Sequence, residues 1–199
     1  MKTTLSLLLC ALCGCALLGK NDPQVPRYFT PEYDGDATAR RRPDLQLRLG
    51  RVEGWSHLRE RMVARNASRE LFYFEDRRWT ERPEIYLRRA LARALFEERG
   101  LVEALSARAL ALDVELVAFE EMQGEPHRAR LQALVVLRDD RVGLLEETIT
   151  VEEPVAKSAG DDQARAVVEA LSQALHAGVT RIADRVVARL AEQKAAASR

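Results

Sequence analysis

Reactive and metal-ligating side chains are scarce in this chain. Its three cysteines all fall between residues 10 and 15, and its three histidines, His57, His127 and His176, stand far apart with no partner at ligand spacing. The first fact excludes a disulfide framework or a cysteine metal site in the body of the protein, and the second argues against a histidine metal centre. No G-x-S-x-G elbow, P-loop, G-x-G-x-x-G or H-E-x-x-H string occurs, so no signature of nucleophilic, nucleotide-dependent or zinc-dependent catalysis is present. Charge of one sign is lacking too. The 31 basic residues face 31 acidic ones, which removes any broad electrostatic attraction for nucleic acid. No apolar run approaches the roughly 20 residues of a bilayer-spanning helix. These absences point to a non-enzymatic protein without metal or cofactor.

What is present begins at the amino terminus. Lys2 precedes an apolar run from about Leu5, and small residues follow, the layout of a secretory signal peptide. The string Leu12-Cys13-Gly14-Cys15 resembles the bacterial lipobox, in which a leucine, a tolerant position and a small residue precede a cysteine. Cys10 and Cys13 fit less well, because a leucine directly precedes each. The resemblance implies a signal peptide over residues 1–14, cleavage between Gly14 and Cys15, and acyl chains on Cys15. At about 0.8 kcal/mol per buried CH₂, three long chains hold far more firmly than one myristoyl group. The alternative is an ordinary cleaved signal that happens to be cysteine-rich. Ala16 stands where an aspartate would resemble an inner-membrane retention signal, so the sorting rules favour the periplasmic face of the outer membrane.

Residues 15–43 read as lipid anchor and flexible tether, interrupted by Pro23, Pro26, Pro31 and Pro43 and without apolar period. A segment of this length has an end-to-end distance on the order of 30 Å and stretches to roughly 90 Å. Arg40-Arg41-Arg42 reads either as a solvated linker run or as a contact for anionic lipid. A single α+β domain is expected over residues 44–192, large enough to bury roughly 68–70% of its unfolded surface, followed by a disordered tail at 193–199.

Within the domain the apolar spacing changes from segment to segment. "DLQLRLGRV" alternates as a half-buried strand does, and "MVARNASRELFYFE" reads as a hairpin turning at Asn66-Ala67-Ser68. "RPEIYLRRALARALFEERG" places Leu87, Leu91 and Leu95 four apart behind Pro83 and ahead of Gly100, which predicts a helix. "ARALALDVELVAFEEM" is a further strand, and "RARLQALVVLRDDRVGLLEETITV" a second hairpin. Ser158 and Asp161 resemble a capping box that opens a long helix with a stripe from Val168 to Leu190. The expected fold is a mainly antiparallel sheet of about five strands with two helices packed on one face. Glu120-Glu121, Glu146-Glu147 and Glu152-Glu153 fall on or beside the strands. Neighbours on a strand face opposite ways, so these pairs form no carboxylate dyad, and solvated edges are expected.

The stretch "YFEDRRWTERPEIYLRRAL", taken with the lipobox, resembles the ABC-type transport auxiliary lipoprotein family. Similar features run in the family's order: Tyr28, Arg51-Val52, Arg65, Leu71 and Tyr73, Arg78-Trp79, Pro83, then Leu91 and Leu95. The chain departs from the family pattern in "RYFT" and in Thr80-Glu81-Arg82-Pro83 after the tryptophan. The resemblance implies an outer-membrane lipoprotein that accompanies an MCE-domain protein and its ABC transporter in lipid transport, as in the paraquat-inducible system. A homo-oligomer would suit a cap on a tubular partner. The competing reading is a structural or regulatory lipoprotein of another envelope machine, in cell-wall synthesis activation or outer-membrane assembly. Arg78 and Trp79 are candidates for a partner surface, because Trp and Arg are enriched at binding hot spots. Equally, Trp79 would pack the first helix onto the sheet while Arg78 pairs with a nearby acid.

Overall fold

The computed structural model describes residues 25–36, 39–106, 109–139 and 142–198. Gly14 and Cys15 lie outside the described residues. In chain order the elements are β1 (Arg27–Phe29), β2 (Arg42–Gly54), β3 (Arg61–Arg65), β4 (Leu71–Trp79), α1 (Pro83–Ala92), a π-helical continuation of α1 (Arg93–Glu98), β5 (Leu101–Glu103), β6 (Ala111–Met122), β7 (Arg128–Arg138), β8 (Gly143–Pro154) and α2 (Asp161–Ala197). Strand β1 thus lies within the segment read above as tether, and α2 runs on into the stretch read as tail.

The sheet corrects the expected fold. It has eight strands and is mixed, not a mainly antiparallel sheet of about five. Strand β6 pairs antiparallel with β7 along one side. Its other side is shared end to end by β2, parallel from Ala111 to Leu116, and β3, parallel from Glu120 to Met122. Strands β1 and β5 add parallel to β4 and β2, while β3–β4 and β7–β8 are antiparallel. Two physical reasons explain the difference. Strands of three residues, "RYF" and "LVE", are too short to show a period of two. Alternation reports which side of a strand is buried and is silent on its neighbour's direction.

Ladder register assigns the faces. Leu49, Val52 and Gly54 of β2 lie beside Leu112, Val114 and Leu116 of β6, and all of these but Gly54 join Leu131, Val135 and Leu137 of β7 in one apolar cluster with both helices. Helix α1 begins with Pro83 at its first turn and buries Leu87, Leu91 and Leu95 completely. Helix α2 buries Leu171, Leu175, Val179, Ile182 and Val186. At Gly178 a Cβ would sit 2.9 Å from a Leu131 methyl, so glycine lets α2 lie directly on β7. The capping box does not form. The N-cap is Gly160, at φ 59°, with no side-chain cap, and Ser158 Oγ instead lies 3.5 Å from Gln163 Oε1. The left-handed glycine turns the chain after Ser158, which leaves that hydroxyl outside the first helical turn.

Residues 30–36 form a strap across the helices. Thr30 Oγ1 meets Thr80 Oγ1 at 2.8 Å, the Glu32 amide donates to Ser172 Oγ at 3.0 Å, and the Tyr33 ring stacks on His176 at 5.2 Å. The far edge of the sheet is protected. Arg181 and Arg189 of α2 donate to the backbone carbonyls of Thr150 and Leu144 on β8, at 3.1 and 2.8 Å, occupying groups that an added strand would need.

Strand β2 carries a bulge between Leu49 and Val52. Asp113 Oδ1 accepts from the Arg51 amide there at 2.8 Å and Oδ2 from Arg138 Nε at 2.9 Å. Burial alone would raise the Asp113 carboxyl; the Arg51 amide and the Arg138 guanidinium together hold it below the usual carboxylate range. A carboxyl depressed in the folded state stabilises above its unfolded pKa, about 3.9, and that contribution is lost as pH falls through the folded value. Asp113→Asn is therefore expected to lower stability at neutral pH and to flatten the acid limb below about pH 4. Urea melts of both chains from pH 7 to pH 2.5 check this, and parallel acid limbs would show that Asp113 adds no linkage.

Candidate docking face

The last two residues of β4 point to opposite faces. Trp79 is 1% exposed. Its ring meets Tyr86 of α1 edge-on at 6.3 Å and lies tilted against Phe119 of β6 at 5.3 Å, and its amide donates to the Glu60 carbonyl. It packs the first helix onto the sheet and offers no surface to a partner. Arg78 lies on the other face. Its Nη2 reaches only the Glu75 carbonyl, at 3.4 Å, and its Nη1 is buried without a hydrogen-bond partner. Among the described residues it has no carboxylate, so the expected pairing with a nearby acid does not occur.

Register places other side chains beside Arg78. It pairs with Tyr28 on β1 and with Arg61 on β3, while Tyr73 pairs with Val63 two residues along β3. All share the face away from the helices, as does Trp55, which follows inward-facing Gly54 at the end of β2. Tyr28 is 64% exposed, Trp55 50% and Tyr73 37%. An open sheet face thus carries three exposed aromatic rings and an arginine without a counter-ion. Tyr28, Tyr73 and Arg65 were visible in the sequence as family positions; Trp55 carried no signal, because its exposure depends on the loop that folds back after it.

The Glu120-Glu121 pair requires a correction. The two do face opposite ways, yet neither is solvated: Glu120 is 0% exposed and Glu121 2%. Glu120 accepts from Arg65 Nε and Nη2, both at 3.1 Å, and from Arg130 Nη2. Glu121 accepts from Gln123 Nε2 at 3.2 Å, lies 2.9 Å from His127 Nε2, and has Arg77 Nη1 at 3.6 Å. Because β6 is central, β3 and β7 supply arginines on both sides, which alternation along one strand does not reveal. Glu146-Glu147 and Glu152-Glu153 remain at the surface, with Arg185 and Arg128 as partners.

Other polar groups lie near the helices and the loop after β2. His57 sits beside Glu120 with Nε2 buried and unpartnered, and burial lowers its pKa despite the Glu120 charge. A cavity of about 350 Å³ lies under the strap between Tyr33, Tyr86, Arg89, Arg93 and Leu175. Arg89 is paired there with Glu81, Arg93 with the Gly35 carbonyl, and the Tyr33 hydroxyl donates to Glu98 at 3.0 Å. Burial and the Glu98 carboxylate both push the Tyr33 hydroxyl pKa upward. Among the described residues no three His, Cys, Asp or Glu side chains group to hold a metal, and no helix is long and apolar enough to cross a membrane.

The two faces predict different responses to truncation. Trp79→Ala is expected to cost about 3–5 kcal/mol by opening a cavity between α1 and β6, read as a lower denaturation midpoint. A loss below about 1 kcal/mol would show that the ring is not structural.

The geometry agrees with that of several solved structures. Protein XCC0632 from Xanthomonas campestris, of the DUF330 family, superposes with a TM-score of 0.68 at 17% identity, covering 85% of this chain and 99% of that one. A crystal structure of an uncharacterized protein superposes at 0.64 with 16% identity, over 81% and 99% of the two chains. Hypothetical protein CT253 from Chlamydia trachomatis gives 0.53 at 10% identity, over 74% and 99%. At these identities the likeness concerns the fold alone. No curated protein matches the chain in sequence. The family model described as the ABC-type transport auxiliary lipoprotein component matches residues 30–183, spanning the strap, every strand after β1 and most of α2. The chain belongs to the ABC-type transport auxiliary lipoprotein family.

Proposed function

We propose that this protein is the lipid-anchored, non-enzymatic adaptor of an MCE-type ABC lipid transport system, held by Cys15 at the periplasmic face of the outer membrane. Membership of a transport auxiliary lipoprotein family carries the reading. The lipobox-like Leu12-Cys13-Gly14-Cys15 supplies the anchor, and Ala16 the sorting preference. The open sheet face supplies the contact. Arginine and the large aromatics are the residues that most often dominate protein interfaces, and Arg78 is the member with hydrogen-bonding capacity to spare. On this reading its guanidinium meets a carboxylate or backbone carbonyl of the MCE-domain protein, flanked by Tyr28 and Tyr73.

Two experiments test it. Cys15→Ala should abolish metabolic labelling with fatty acid and release the protein from membrane fractions; continued labelling would move the anchor elsewhere. In-cell photocrosslinking from position 28 or 73 should capture an MCE-domain protein. Arg78→Glu should reduce that capture about tenfold or more while leaving the thermal midpoint near the parent value. Undiminished capture would remove Arg78 from the contact, and capture of a cell-wall synthase or barrel protein instead would replace the transport reading.

A further inference from the structure

The three consecutive arginines at 40–42 do not behave as linker. Arg42 opens β2, and its amide donates to the Gly100 carbonyl at 2.7 Å. Gly100 has φ 70°, and a Cβ there would lie 2.3 Å from the Arg40 carbonyl oxygen. The backbone bearing the arginines is therefore clamped against the end of the π-helical segment. Arg40 and Arg41 are exposed and Arg42 half-buried, and among the described residues their side chains make no hydrogen bond or ion pair. Most other arginines in the fold spend their charge on a carboxylate or a carbonyl.

Immediately downstream the same strand forms one wall of a groove of about 420 Å³. Leu45 and Leu190, each 4% exposed, and half-buried Leu110 make it apolar. Gln46, Gln193 and the Asp44–Lys194 pair, at 2.7 Å, form its polar rim. Arg42 is close enough to the rim for its charge to act on Asp44: the Lys194 hydrogen bond, first, and then the Lys194 and Arg42 charges lower that carboxyl's pKa. The volume lies within the roughly 300–1,000 Å³ of small-molecule sites. Among the described residues no arginine lines the trough itself, but Arg42 precedes Pro43 of its wall and, with Lys194, outweighs the Asp44 carboxylate at that end, so a hydrocarbon half adjoins a half of net positive charge.

We propose that this groove binds one anionic amphiphile, its acyl chain lying on Leu45, Leu110 and Leu190 and its phosphate meeting the arginines at 40–42. The family's lipid attachment keeps the domain beside a reservoir of such molecules, which favours a phospholipid over soluble phosphate as the occupant. The inference stands apart from the transport reading, since it concerns a different face and needs no protein partner.

Native mass spectrometry of the full-length protein in neutral detergent tests it, with phosphatidylglycerol, phosphatidylcholine or inorganic phosphate added separately. A single phosphatidylglycerol adduct is expected, with phosphatidylcholine binding at least about tenfold weaker. The triple variant Arg40→Gln, Arg41→Gln, Arg42→Gln removes only exposed or half-exposed charge and should weaken the adduct about tenfold or more. Gln193→Trp, which fills the groove from its rim, should weaken it comparably with every arginine in place. Equal adducts with both lipids, an adduct indifferent to both variants, or a phosphate adduct that survives Gln193→Trp would each overturn the assignment.

Discussion

A carboxylate taken out of water costs several kcal/mol unless it is matched, and the far end of β6 takes two out in succession. Glu120 is matched by Arg65 from β3 and Arg130 from β7, and Glu121 by Arg77 from β4 with His127. These contacts exist only if β3 lies parallel beside β6, with β4 next to it. Removing both Arg65 and Arg130 would leave the Glu120 charge buried with no counter-ion, a penalty of about 3–5 kcal/mol in comparable cases. The charges therefore discriminate against alternative strand arrangements, because a hydrophobic pattern alone would accept β3 in more than one position. The mixed sheet, the placement of β4 and the side on which Arg78 emerges all follow from this matching.

With that end fixed, the two faces of the sheet take different roles. The inner one is sealed by α1 and α2, with Trp79 wedged between the first helix and β6. The outer one stays open, and its exposed aromatic rings and the unpaired Arg78 lie on β1, on β4 and just after β2 rather than on β7 and β8. On the latter pair, cross-strand partners such as Arg128–Glu152 and Gln132–Thr150 satisfy one another. The β8 edge is also occupied by arginines from α2. Sheet growth by strand addition is thereby discouraged on that side.

The helices and long strands were legible in the residues. Leu87, Leu91 and Leu95 announced α1, and the stripe from Val168 to Leu190 announced α2, because burial of one side imposes a period of 3.6. The hairpins β3–β4 and β7–β8 were visible because their turns are local. The parallel pairings were not, since they join residues as far apart in the chain as Arg48 and Ala111. The acid pair failed for the same reason: nothing beside Glu120 in the chain reveals Arg65 and Arg130. At the candidate face, Arg78 and Trp79 were found as a pair, but their division between surface and core rests on which side of β4 the helices cover. The clamp of Arg40–Arg42 onto Gly100 likewise depends on a neighbour almost sixty positions away.

The strap has a mechanical consequence. The described chain begins at Val25, ahead of a strand that runs parallel to β4, and is then stitched at Thr30, Glu32 and Tyr33 to the residue after β4, to the end of α1 and to α2. A load drawn along β1 from the amino-terminal side is borne in shear by the β1–β4 ladder and passes next into the strap's stitches, so the rungs share it rather than parting one by one. Force applied from that side is thus spread over both layers of the body before it reaches β2.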